Sequence, residues 1–246
     1  MQEIKKQLEV LLVNYFRKCY PNFPKGRLAA SESPDFLVKL KNKQRIGIEL
    51  TRLNPANAVE ISAADKAKNT FHEELVDSMR EHFEFGNDRK LFVKFLFNQH
   101  NGINPASELV IRSQTVSLIR SAIENRGRQP FFNQTLNGGY LPQGIKQIMI
   151  AGHSGLEASV WERSNNLGIS TNVVDDIRKA IAKKDEKLRL YQKQKLDEYW
   201  LLITTDCLRA DKNINLLNKI QREEFSSLFH KVFLFDLMRA RVLELV

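Results

Sequence analysis

The chain has 246 residues, 42% apolar and 27% charged, ordinary proportions for a globular protein with room for a sizeable core. Lys and Arg outnumber Asp and Glu by 38 to 29, a formal charge of +9, which leans towards polyanionic partners without implying that base sequence is read. Two cysteines, Cys19 and Cys207, with no C-x-x-C, argue against a disulfide scaffold or a zinc–thiolate site. With no apolar leader and no run of 18 apolar residues, a soluble cytoplasmic protein is the expectation.

Residues 2 to about 20 carry Ile4, Leu8, Leu11, Leu12, Tyr15 and Phe16 at helical spacing, and Pro21 and Pro24 end that helix. Glu9 sits near the edge of its apolar stripe, the place of a solvated helix acid. Residues 26–31 read as a short strand. Residues 32–53 then read as two strands around the turn Lys41-Asn42-Lys43. With a three-residue loop, cross-strand partners sum to 84. Phe36 then faces Ile48 and Val38 faces Ile46 on one apolar face, which pins the register. The other face carries Asp35, Leu37 and Lys39 opposite Glu49, Gly47 and Arg45, with Thr51 following. Asp35 and Glu49 are expected as direct partners, their Cβ atoms about 4.5–5.5 Å apart. Glu32 is a rival acid, but strand parity turns it to the other face. Two opposed carboxylates repel, and a hard divalent cation, Mg²⁺ or Mn²⁺, is one way to reconcile them. A solvated strand face that holds two acids among Lys39, Arg45 and Arg52 is the other.

The order Pro34-Asp35, hairpin, Glu49-Leu50-Thr51 resembles the PD-(D/E)XK nuclease superfamily, whose signature is an Asp on one strand and acid-x-Lys on the next. Thr51 stands where that family has its lysine, so the likeness is to a divergent member with the cation moved to another element. The resemblance implies Asp35 and Glu49 as metal ligands, with Glu9 on the first helix as a third. It assigns Thr51 to orienting a water.

Asn54-Pro55-Ala56-Asn57 reads as a turn and 58–84 as a helix, with Asn57 and Glu60 spaced as a capping box. Lys66, Lys68 and His72 near its start are candidates for the displaced cation, or solvated charges on its flank. Leu91–Phe97 is nearly all apolar and reads as a central strand. A helix covers about 105–126. Residues 126–144 read as a loop in which Arg126 and Arg128 interleave with Phe131, Phe132 and Tyr140, suited to stacking on nucleic acid or to packing back on the domain. Ile145–Ala151 is a strand that turns back to another at Val160 and Trp161. Gly152-His153-Ser154-Gly155-Leu156 breaks the G-x-S-x-G pattern and excludes a serine-hydrolase elbow.

In the helix expected over 173–196, Ile177, Ile181, Leu188 and Tyr191 fall in one arc, with Lys184 in its middle. A lysine there either reaches past the core edge to solvent or points inward to the acidic face of the hairpin. Lys187 lies beside it as a candidate backbone contact. Tyr199–Thr204 is a buried strand. A helix is expected over 213–229, and 231–237 with 241–245 form a terminal strand pair. There is no P-loop, no G-x-G-x-x-G and no H-E-x-x-H, and the five histidines show no metal spacing.

These elements give an α/β protein, and the resemblance implies a restriction-endonuclease-like core: a mixed central sheet flanked by helices, with added C-terminal elements. No linker or repeat divides the chain. The expectation is one domain over 1–246, its core at about 1–127 and 145–246, with a loop insertion at about 127–145. The implied function is a Mg²⁺- or Mn²⁺-dependent nuclease acting on DNA rather than RNA, without a membrane and with a homodimer as one expected assembly. The alternative is a catalytically inactive nucleic-acid-binding or assembly protein on the same fold. In the nuclease reading Asp35, Glu49, Thr51 and Lys184 are catalytic, and Lys66, Lys68, Lys187, Arg126 and Arg128 contact nucleic acid.

Overall fold

The computed structural model describes residues 2–53, 63–98, 102–124, 130–164, 173–191, 195–206 and 216–246. Its elements run α1 (Gln2–Cys19), β1 (Gly26–Ala30), β2 (Phe36–Leu40), β3 (Arg45–Arg52), α2 (Ala63–Glu84), β4 (Phe92–Phe97) and, after a 3₁₀ turn at Pro105–Ser107, α3 (Glu108–Glu124). They continue with β5 (Phe131–Asn137), β6 (Ile145–His153), β7 (Val160–Arg163), α4 (Val173–Tyr191), β8 (Glu198–Thr205), α5 (Leu216–Arg222), β9 (Lys231–Asp236) and β10 (Arg241–Glu244). The fold is α/β, with two mixed sheets flanked by helices. The turn expected at 54–57, its capping box, Arg126 and Arg128 lie outside the described residues.

Two compact units form, one from residues 1–15 and 61–165, the other from 16–60 and 166–246. Neither is a continuous stretch. Each unit holds one sheet, β5-β6-β4-β7 in the first and β1-β2-β3-β8-β9-β10 in the second.

In the first unit all six residues of β4 are buried, as an interior strand between antiparallel β6 and parallel β7 requires. Lys94 stays in that strand because Glu162, opposite it on β7, receives its ammonium at 3.0 Å. Leu75, Val76, Met79 and Phe83 of α2 and Ile111, Val116, Ile119 and Ile123 of α3 pack on Val93, Phe95 and Trp161. Residues 131–137, read from sequence as part of a loop, form strand β5, antiparallel to β6. Phe132 and Leu136 are its buried positions, and the Asn, Gln and Thr between them hide the alternation. The strand at Val160 pairs with β4 rather than turning back on β6.

His72 of α2 is 4% exposed and stacks on Phe97, ring centroids 4.0 Å apart. Burial, with Lys68 and Arg163 adding repulsion, pushes its pKa down to about 4. His72 is therefore neutral in the folded protein at pH 7. As pH falls below the unfolded value of about 6.5 the unfolded chain takes up the proton first, so stability is lost down to about pH 4. Unfolding in urea at pH 7 and pH 4.5 should show that His72→Phe removes about 2.5 kcal/mol of the wild type's acid destabilisation. Equal pH dependence in both proteins would mean that His72 takes up its proton as readily in the folded chain as in the unfolded one.

In the second unit the meander β1-β2-β3 has the expected register: Phe36 pairs with Ile48, Val38 with Ile46 and Lys39 with Arg45. The loop is Lys41-Asn42-Lys43, closed by Leu40 N to Gln44 O at 2.9 Å. Lys43 takes φ 70°, as a three-residue hairpin with a left-handed last residue demands. The next strand in the sheet is not Leu91–Phe97, which β6 and β7 occupy in the other unit, but β8, parallel to β3 from Ile46↔Glu198 to Arg52↔Thr204. β9 follows, parallel to β8, and β10 closes the edge as its hairpin partner. One sheet face stacks Phe16, Tyr20 and Phe23 against Trp200, Phe233 and Phe235. The other face, with Leu201, Ile203, Val232 and Leu234, receives Val173, Val174, Ile177, Ile181 and Leu188 of α4 and Ile220 of α5. Helix α5 ends at Arg222 rather than near 229. Beyond it Asp185 Oδ1 accepts from Ser227 Oγ at 2.7 Å and Leu228 N at 3.1 Å, so the backbone bonds a side chain instead of its own turn.

Candidate active site

Strand β3 alternates between the two faces of its sheet, so Glu49 and Thr51 share the face on which Leu201 and Ile203 of β8 receive α4. Helix α4 lies there because its apolar stripe must be buried, and Lys184 belongs to that stripe. Its Nζ is 2.7 Å from Glu49 Oε1 and 3.1 Å from Leu50 O. Of the two directions open to Lys184, the structure has the inward one. Both side chains are largely withdrawn from solvent, Lys184 at 14% and Glu49 at 6% exposure. A pair so placed is attracted through a medium far less screening than water.

Asp35 lies one residue before β2, where Ser31 N donates to its carbonyl at 2.8 Å. Its carboxylate turns to β3, and Oδ2 accepts from Leu50 N at 2.7 Å. The cross-strand register ends at Phe36↔Ile48, so Asp35 and Glu49 do not form the expected further ladder pair, and Asp35 and Lys184 instead meet the backbone of Leu50. Asp35 bonds the amide of Leu50 and Lys184 the carbonyl. Sequence reasoning missed this use of Leu50, because nothing in a residue's identity marks its backbone as an anchor.

Thr51 is half-buried at the motif position, and its carbonyl accepts from Thr204 Oγ1 at 3.4 Å. Arg52, next along, joins the ends of β3 and β8 through Asp206, with Nη2 3.0 Å from Oδ1. Lys187 is exposed on α4, one turn from Lys184. The remaining predicted residues belong to the first unit. Glu9 is 3.9 Å from Lys5 and 4.0 Å from Lys6 along α1, and Lys66 and Lys68 lie in the first turns of α2, Lys66 exposed and Lys68 half-buried.

Among the described residues no three or more His, Cys, Asp or Glu side chains gather as a metal site. Mg²⁺ needs fewer, taking one or two carboxylates with water and phosphate oxygens. Leu50 engages Asp35 through Oδ2 and Lys184 engages Glu49 through Oε1, which leaves Oδ1 and Oε2 as hard oxygen donors of the kind such an ion takes. The donor set fits. Among the described residues no helix is long and apolar enough to cross a membrane. Comparison of the chain with protein-family models, with curated proteins and with solved structures returns no match.

Proposed function

We propose that this protein is a divalent-metal-dependent nuclease that hydrolyses phosphodiester bonds in DNA rather than RNA, on a restriction-endonuclease-like core. The observation that carries the reading is the Lys184 ammonium on the Glu49 carboxylate. The resembling family requires a cation beside its second acid, Thr51 cannot supply one, and α4, packed on the face that Glu49 shares, brings one in. The order of elements in the second unit supports it: a three-stranded antiparallel meander, then α4 leading to a strand parallel to the third.

In this reading Asp35 and Glu49 hold Mg²⁺ or Mn²⁺. The chemistry supplied by an ion held there would be polarisation of the scissile phosphate and a lowered pKa for the attacking water. Lys184 balances the negative charge of Glu49 and stands ready for the charge that develops on phosphorus. The Thr51 hydroxyl orients the water. Water adds to phosphorus, the ester P–O bond breaks, and the products are a phosphate monoester and an alcohol. The Asp35 bond to Leu50 N fixes one carboxylate against β3, so the two ligands are held before metal arrives.

One observation favours the inactive alternative. The Lys184 ammonium already balances the Glu49 charge, as in a purely structural ion pair. Plasmid, linear and single-stranded DNA, with RNA alongside, incubated with Mg²⁺ or Mn²⁺, decide between the two. The nuclease reading expects cleavage that EDTA abolishes. Salt-sensitive DNA binding with no cleavage, and no Mn²⁺ affinity that depends on Asp35 and Glu49, would replace it with the binding protein.

A further inference from the structure

At the hairpin end of the second unit, Arg27, Lys39 and Arg45 stand in a single row across β1, β2 and β3: Arg27 pairs with Lys39, and Lys39 with Arg45. Like charges directly opposed across strands destabilise a sheet, and here the opposition occurs twice in succession. Lys41 and Lys43 project from the adjoining loop, and all five residues are exposed. Arg27, Lys39, Lys41 and Lys43 form no ion pair among the described residues. Arg45 is tied to its surroundings, its guanidinium donating to Lys195 O at 3.1 Å and its amide to Asp197 Oδ2 at 2.7 Å. Five exposed cations so opposed form a surface that an external polyanion relieves.

The row has a fixed relation to the candidate active site. Arg45 and Glu49 are four residues apart on β3 and therefore on one face, about 13 Å apart at 3.3 Å per residue. Between them lies Gly47, where a Cβ would come 2.5 Å from Pro34 Cγ and 2.7 Å from Leu196 Cδ1. Apolar groups thus cover the stretch between two charged ends. Phosphates on one strand of a duplex recur about every 3.4 Å along the axis, so 13 Å is about four base steps.

We propose that the Arg27–Lys39–Arg45 row, with Lys41 and Lys43, binds the phosphate backbone of duplex DNA about four base steps from the phosphate that Glu49 addresses. It thereby sets a minimum substrate length on that side. The placement of the scissile phosphate rests on the nuclease reading above; the backbone contact itself does not.

The test replaces Lys39, Lys41 and Lys43 together by Gln, leaving Asp35, Glu49 and Lys184 intact. Binding to a duplex oligonucleotide is followed in EDTA as salt is raised, and cleavage in Mg²⁺ is measured on duplexes of graded length. The expected result is a slope of log K against log salt shallower by about one for each phosphate the variant no longer neutralises. The wild type should lose activity sharply once fewer than about four base steps remain on one side of the cut, whereas the variant should cleave long and short duplexes at the same reduced rate. The urea midpoint should rise rather than fall, since the substitution relieves repulsion. A variant that cleaves with an unchanged salt slope overturns the row and leaves the nuclease reading standing. Row-dependent binding without cleavage in any metal does the reverse. Binding to phosphatidylserine vesicles as tight and as lysine-dependent as binding to DNA overturns the assignment to nucleic acid.

Discussion

Asp35→Asn should reduce metal-dependent cleavage about 10³-fold while the protein remains folded. Asparagine keeps an oxygen that accepts from Leu50 N, the bond Asp35 makes at 2.7 Å, and loses only the charge a divalent ion needs. A ligand that helps hold a Lewis-acidic metal contributes several kcal/mol to the transition state, and about 4 kcal/mol is three decades in rate. Asp35→Ala confounds the result, because it also strands the amide of Leu50, at about 1–3 kcal/mol for a buried donor left unmet. Glu49→Gln is the matching variant on β3, since Gln retains an acceptor for the Lys184 ammonium. Cleavage lost in both variants, with both proteins still folded, supports the carboxylate pair as the metal site. The same residual activity in all three proteins identifies a contaminant and removes the nuclease proposal.

The hairpin was the most legible part of the chain. A polar turn of three residues between two alternating runs leaves one register that buries Phe36, Val38, Ile46 and Ile48, and that register is present. Lys184 was legible for a related reason, as a charge in the middle of a stripe that α4 has to bury. What the sequence withheld depends on partners distant along the chain. Strand β8 beside β3, the stop of α5 at a side chain of α4, and the Asp35 bond to Leu50 all join residues that no local pattern connects. Each of the two compact units is assembled from separated stretches, and such units leave no linker to read. Strand β5 was hidden by composition: its polar positions are Asn, Gln and Thr, which read equally well as loop.

Lys184→Met separates a structural ion pair from a metal-site ion pair. In the wild type the ammonium, 2.7 Å away, neutralises Glu49 in a place that water scarcely reaches. Breaking a buried pair from one side leaves its partner's charge uncompensated and typically costs about 3–5 kcal/mol; Lys184 keeps some exposure to solvent, so about 3 kcal/mol is expected here. That is a large share of the roughly 5–15 kcal/mol by which domains are stable, and a urea titration resolves it. Lys184→Met combined with Glu49→Leu should recover much of the loss, because two apolar groups of similar size no longer leave a charge buried. The informative step is adding Mn²⁺ to the single variant. If Asp35 and Glu49 hold the ion, Mn²⁺ supplies the charge that Lys184 no longer does, and it should raise the Tm of Lys184→Met more than that of the wild type and leave Lys184→Met/Glu49→Leu unmoved. Cleavage by Lys184→Met in Mn²⁺ should still fall about 10²–10³-fold, the usual cost of removing one preorganised group that stabilises developing charge. A Tm that rises in none of the three proteins would mean that Lys184 and Glu49 pair only with each other, and would remove the metal site from the proposal.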